Sequence, residues 1–121
     1  MQLAGAMLFV VDLPAMTAFY RDVVGFAPIE ETRLDNWVEF DTGETHFALH
    51  AIPREVGVKP SPTPRETGGC KLILAVDDLA AARERLSSAG ATILDRPWGG
   101  WDFADPEGNV VGVTGKTHPG A

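Results

Sequence analysis

The chain has 121 residues, 45% hydrophobic and 22% charged, with 17 acids against 10 bases for a net charge of −7. That length holds one domain of ordinary globular composition and excludes disorder, while the acidic balance argues against a nucleic-acid backbone as partner and suits a cationic small molecule or simple solubility. No apolar run approaches the roughly 20 residues of a membrane span, no basic-then-apolar signal opens the chain, and the single Cys70 allows no intrachain disulfide and no cysteine-based zinc site. The expectation is a cytoplasmic protein with no membrane partner.

Met7 to Val11 is an apolar run that predicts a first strand. Asp12 is a good helix N-cap and Pro14 is tolerated in a first turn. Met16, Phe19, Tyr20 and Val23 then fall on one helical face, and Gly25 stops the helix. Phe26–Glu31 predicts a strand, Trp37–Asp41 a second by its alternation, and His46–Ile52 a third after a turn at Thr42-Gly43-Glu44. Residues 53–69 change texture. Pro53, Pro60, Pro62 and Pro64 remove backbone donors and Gly68-Gly69 closes the segment, which predicts a linker or exposed loop, either a lid or a connector.

The second half repeats the first. Leu72–Val76 predicts a strand, Asp78 caps a helix with Leu79, Ala82, Leu86 and Ala89 on its apolar face, and Gly90 ends it. Ala91–Leu94 is a further strand. Trp101–Ala104, the turn Asp105-Pro106-Glu107-Gly108-Asn109 and Val110–Thr114 form an antiparallel pair. Val-Val-Asp-Leu ends at Leu13 and Val-Asp-Asp-Leu at Leu79, an offset of 66, and the helix stops Gly25 and Gly90 are offset by 65. Equal element order and spacing predict an internal duplication, with modules over about 5–52 and 70–115 in one domain spanning 1–121. Each module of ~50 residues is marginal alone, so the two are expected to bury their sheets together, within one chain or across a dimer.

Three pieces in this order carry a resemblance: Phe9 to Leu13 with Ala18 to Phe26, Val76-Asp-Asp-Leu79 with the helix ending at Ala89-Gly90, and Asp105 to Asn109. Over about residues 5–115 the chain resembles the vicinal oxygen chelate superfamily, which includes glyoxalases, ring-cleaving dioxygenases and bleomycin- or fosfomycin-resistance proteins. The resemblance implies an α+β fold in which two βαβββ modules form a curved eight-stranded mixed sheet around a ligand cavity. It also implies a homodimer. In metal-using members, His or Glu side chains from the first and last strand of each module hold a divalent ion. The matching positions here are Gly5, Ala48, Lys71 and Gly112, and none supplies such a ligand. The expectation is therefore no metal and no cofactor.

Strand alternation puts Met7 and Phe9 on the face of Gly5, His46 and His50 on that of Ala48, Ile73 on that of Lys71, and Val110 and Thr114 on that of Gly112. Whether Trp37 and Glu39 or Val38 and Phe40 share that face is open, as is the choice between Asp102 and its neighbours Trp101 and Phe103. His46 and His50 invite metal binding or proton relay, but four strand residues span ~13 Å, too far for one ion. The favoured reading is a solvent-facing or hydrogen-bonded pair of strand histidines. Trp98 and Trp101 flank Gly99-Gly100 and read as an aromatic clamp on a planar or cationic ligand, or as packing. Lys71 is a candidate for a ligand carboxylate or for lowering the Cys70 thiol pKa, although adjacent strand residues face oppositely; otherwise it is a rim lysine beside a core cysteine. Glu39 and Asp102 occupy similar places in the two modules and suit acid–base work or a cation, or simple solvation. Gly115-Lys116-Thr117 fails as a phosphate loop because no helix follows, and His118–Ala121 reads as a frayed tail.

Three functions remain. The first is a metal-free small-molecule-binding protein of the bleomycin-resistance type, acting by sequestration of a small organic ligand. The second is a superfamily enzyme (lyase, isomerase or dioxygenase) with a non-standard metal or acid–base site at Glu39, His46, His50 and Asp102. The third is a non-catalytic partner subunit.

Overall fold

A computed structural model describes residues 1–56 and 59–116 of the chain; the tail expected over 118–121 and the Lys-Thr junction at Thr117 lie outside the described residues. The backbone divides into two compact units, Met1–Pro60 and Ser61–Ala121.

The first unit contains β1 (Gly5–Val10), α1 (Leu13–Ala18), β2 (Ala27–Pro28), β3 (Trp37–Asp41) and β4 (His46–Ala51). Asp12 caps α1, its Oδ1 accepting from the Ala15 amide at 3.0 Å. The helix widens into a π-helical stretch over Phe19–Val24 and stops at Gly25, whose amide and that of Phe26 both reach the Tyr20 carbonyl. The strand order is β1-β4-β3-β2, with β1 parallel to β4 and the other pairs antiparallel. On one face Tyr20 is fully buried against Phe26, Phe40 and Phe47, its ring centroid 5.0 Å from that of Phe47. Val10, Met16, Val38 and Leu49 complete this core. The strand expected over Phe26–Glu31 shrinks to two residues followed by a 3-10 turn over Glu30–Thr32. Pro28 has no amide to donate, and β2 is the edge strand, where that loss is tolerated. Only the Ile29 amide continues the ladder, to the Glu39 carbonyl at 2.7 Å.

The second unit contains β5 (Leu72–Val76), α2 (Leu79–Ser88), β6 (Thr92–Asp95), β7 (Trp101–Ala104) and β8 (Val110–Gly115), with sheet order β5-β8-β7-β6 and the same pairing directions. The α+β duplication is therefore present. The single eight-stranded sheet is not: the eight strands hydrogen-bond as two sheets of four, each closed on its own ladder. Of the expected apolar face of α2, Leu86 is buried, against a unit core that includes Phe103 and Val111, while Leu79 is exposed beside the Asp78 cap.

The Pro-rich segment does not behave as one piece. From Ser61 onward it is built into the second unit around the Asp105–Asn109 turn. The Ser61 amide donates to the Glu107 carbonyl at 3.0 Å and the Arg65 amide to the Gly108 carbonyl at 2.8 Å. The Arg65 guanidinium adds bonds to Asn109 Oδ1 and the Glu107 carbonyl. Asp105, itself buried, accepts from the Glu107 and Asn109 amides through Oδ1 and from Asn109 Nδ2 through Oδ2.

Candidate functional site

The ladder of the first sheet settles which residues share a face. Gly5 pairs with His46, Met7 with Ala48 and Phe9 with His50; on the other side of β4, Trp37 pairs with His50, Glu39 with Ala48 and Asp41 with His46. Directly paired residues point to the same side. Trp37 and Glu39 thus join Met7, Phe9, His46, Ala48 and His50, while Val38 and Phe40 face the helix and the core. This sheet face carries no helix of its own unit. Phe9 is 51% exposed and Met7 41%. The His50 ring lies between two aromatics, 5.8 Å from Phe9 and 5.7 Å from Trp37 centroid to centroid, and Asn36 Nδ2 stands 3.4 Å from His50 Nε2. At the other end of β4, the Glu39 carboxylate accepts from His46 Nδ1. Glu39 is mostly covered whereas His46 is exposed, and the pair holds the ring through Nδ1. The two histidines have different partners and form no joint site.

In the second sheet Ile73 and Asp102 both pair with Gly112, placing them on one face. Lys71, immediately before β5, extends across that face. Its Nζ lies 2.9 Å from Asp102 Oδ2, and its Cε would be 3.2 Å from a Cβ on Gly112. Arg96, which sequence reasoning overlooked, reaches the same Oδ2 through Nε at 2.8 Å and Nη2 at 2.7 Å, and holds Glu66 through Nη1 at 3.0 Å. These contacts push the Arg96 pKa up, chiefly through its hydrogen bond to Asp102. The sequence held a signal for Arg96. It closes the β6–β7 hairpin, its amide donating to the Gly100 carbonyl, and an inward Asp102 requires a cation within reach of that hairpin.

Several expectations change. Trp98 and Trp101 do not share a setting. Trp98 stands exposed on the hairpin tip, with its indole over Gly100, whereas Trp101 has the parity of buried Phe103, with the Arg83 guanidinium of α2 at 5.8 Å from its ring. Alternation across a single dipeptide step separates Trp101 from Asp102. Cys70 is exposed, not core, and Lys71 is bonded to Asp102 instead of serving the thiol. Glu39 and Asp102 do hold matching places, opposite Ala48 and Gly112, each in its own unit. A surface groove lined by Leu13, Pro14, Arg33, Leu34 and Asp35 contains none of the candidate site residues.

The four positions to which the resemblance assigns metal ligands, Gly5, Ala48, Lys71 and Gly112, offer no donor set that suits a divalent ion. A Cβ on Gly5 would lie 2.3 Å from the His46 carbonyl oxygen, so this position accepts no side chain at all without a backbone shift. Ala48 offers a methyl group, Gly112 offers nothing, and Lys71 presents an ammonium already bonded to a carboxylate. Among the described residues no group of three His, Cys, Asp or Glu side chains is arranged to hold a metal ion.

Comparison with solved structures gives the same fold at low sequence identity. An integron cassette protein from the mobile metagenome of V. cholerae, VCH_CASS1, superposes with a TM-score of 0.70 at 23% identity, covering 97% of this chain and 96% of that one. TnmS3, an antibiotic binding protein from Streptomyces sp. CB03234, gives 0.67 at 22% identity, covering 95% of each chain. A lactoylglutathione lyase from Agrobacterium tumefaciens gives 0.67 at 27% identity, covering 97% of this chain and 96% of that one. No functionally curated protein is a significant sequence match. The family model of the Glyoxalase/Bleomycin resistance protein/Dioxygenase superfamily matches residues 2–113, nearly the whole duplicated βαβββ pattern. The chain therefore belongs to the Glyoxalase/Bleomycin resistance protein/Dioxygenase superfamily.

Proposed function

We propose that this protein binds a planar organic molecule on the open face of β1, β4 and β3 and sequesters it, with no metal at Gly5, Ala48, Lys71 or Gly112. One observation carries the reading: Phe9, His50 and Trp37 line up as ring neighbours on that face, with Met7 beside them and Phe9 and Met7 exposed. Rings set this way offer stacking area and a polarisable edge. The exposed His46 and the Glu39 carboxylate supply polar ends, and the carboxylate favours a ligand with a cationic group. The likeness to an antibiotic-binding protein supports a drug-type ligand. We take the protein to act as a cytoplasmic homodimer.

A second reading, a superfamily enzyme, draws on the Glu39–His46 pair. A carboxylate holding Nδ1–H leaves Nε2 as a base, the arrangement general acid–base catalysis uses. The likeness to a lactoylglutathione lyase supports it.

Isothermal titration of the full chain with planar aromatic compounds, cationic and neutral, tests both. Sequestration predicts a ligand bound one per site and recovered unchanged, with affinity at least 10-fold weaker in Trp37→Ala and Phe9→Ala. Conversion of the ligand, lost in His46→Asn, would instead establish the enzyme. One divalent ion retained per chain after purification without chelator would overturn the metal-free part.

A further inference from the structure

We infer that the second unit carries an anion-binding point, centred on the Lys71 ammonium, that takes the carboxylate of an organic acid. The argument is independent of the aromatic face of the first unit. Asp102 is 5% exposed, and a carboxylate so covered must be neutralised. Its Oδ2 receives two charge-assisted hydrogen bonds, one from Arg96 Nε and one from Lys71, and Arg96 Nη2 stands 2.7 Å away in the same ion pair. Arg96 is nearly covered and is shared between Asp102 and Glu66. Lys71 is in a different position: its side chain is 45% exposed, and among the described residues Asp102 is its one polar contact. Arg96 thus divides its charge between two carboxylates, and Lys71 supplies the second cation at the Asp102 oxygen. Two of its three N–H donors remain for an incoming group.

The setting orients that charge. Gly112 lies beneath the lysine chain, and a Cβ there would stand 3.2 Å from Lys71 Cε and 3.4 Å from Asp102 Oδ1. The missing side chain lets the lysine lie across the sheet with its ammonium held at Asp102. An apolar neighbour on this face is Ile73, half exposed and paired with Gly112. An ammonium fixed on one side of an exposed isoleucine matches an acid with an apolar body more closely than a bare inorganic anion. The chain's net charge of −7 does not forbid this, because salt at physiological strength screens charges beyond ~8 Å.

The test is a titration of the 15N-labelled full chain with benzoate, with benzamide and inorganic phosphate as comparisons, followed at the Ile73, Asp102 and Gly112 amides. Saturable shifts at these amides with benzoate, weakened at least 10-fold in Lys71→Met and retained in Lys71→Arg, are expected. A native-like spectrum for Lys71→Met separates lost binding from lost folding. Should that variant not fold, Lys71→Gln takes its place. The inference is overturned by an absence of saturable shifts, by equal response to benzamide, by equal response to phosphate, or by unchanged benzoate binding without the lysine charge.

Discussion

Thr17 lies on the buried side of α1, and among the described residues its hydroxyl oxygen has no hydrogen-bond partner. An unsatisfied buried hydroxyl costs free energy that a methyl of similar size does not. Thr17→Val should therefore stabilise the protein by about 1 kcal/mol, seen as a higher urea midpoint at unchanged slope; a lower midpoint would show that the hydroxyl is satisfied in solution. Gly108 is demanding in the opposite sense. Its φ is 89°, and a Cβ would stand 2.9 Å from the Ser61 carbonyl oxygen and 3.1 Å from that of Thr63. Gly43, at φ 107°, has open space around the same position. Gly43→Ala should cost the left-handed backbone penalty alone, about 1–2 kcal/mol, and Gly108→Ala that penalty plus displacement of the Ser61–Thr63 backbone. Equal losses in the two variants would mean that the 61–65 segment does not seat on the turn. The turn residues were legible as a turn from Pro106 and Gly108. The segment lying over them was not, because backbone hydrogen bonds from residues some 45 positions away leave no local pattern.

α2 is joined to its sheet by the buried Leu86 and, at the surface, by Arg83. The guanidinium bonds both Asp95 oxygens, at 2.7 and 3.2 Å, and covers the Trp101 ring. The pairing lowers the Asp95 pKa, first through the hydrogen bond from Arg83. The unfolded carboxyl titrates near 3.9, and the folded one lower. A depressed folded value means that the stabilisation is present above the unfolded pKa and disappears as pH falls through the folded pKa. The stability difference between the wild type and Asp95→Asn should hold constant from neutral pH to about 5 and close below about 4. Thermal melts across that range check this, and a gap that persists in acid would exclude the ion pair as its source. Both groups are well exposed, so the effect is small. Helix periodicity revealed α2 but not this link, which depends on β6 and β7 presenting Asp95 and Trp101 opposite one another.

The duplicated pattern produces two sheets with the same order and sense, and the matching positions Glu39 and Asp102 have opposite fates. Glu39 pairs with an exposed histidine and Asp102 with two cations. Equivalent positions thus hold two different pairings, a carboxylate with a histidine in the first unit and a carboxylate with a lysine and an arginine in the second. The absence of ligating side chains at Gly5, Ala48 and Gly112 was plain from the sequence, as was the family pattern. No helix among the described residues is long and apolar enough to cross a membrane, in line with the lack of apolar runs.

Local chemistry was enough to establish the element order, the caps at Asp12 and Asp78, the turn at Asp105–Asn109 and the repeat, since each depends on backbone preferences and apolar spacing within a few residues. Strand pairing decided the rest. Register put Trp37 and Glu39 on the face of His46 and His50, split Trp101 from Trp98, and brought Arg96 and Lys71 onto one carboxylate. A one-residue slip in any ladder would turn each of these side chains to the other face, and only contacts between distant strands fix that choice.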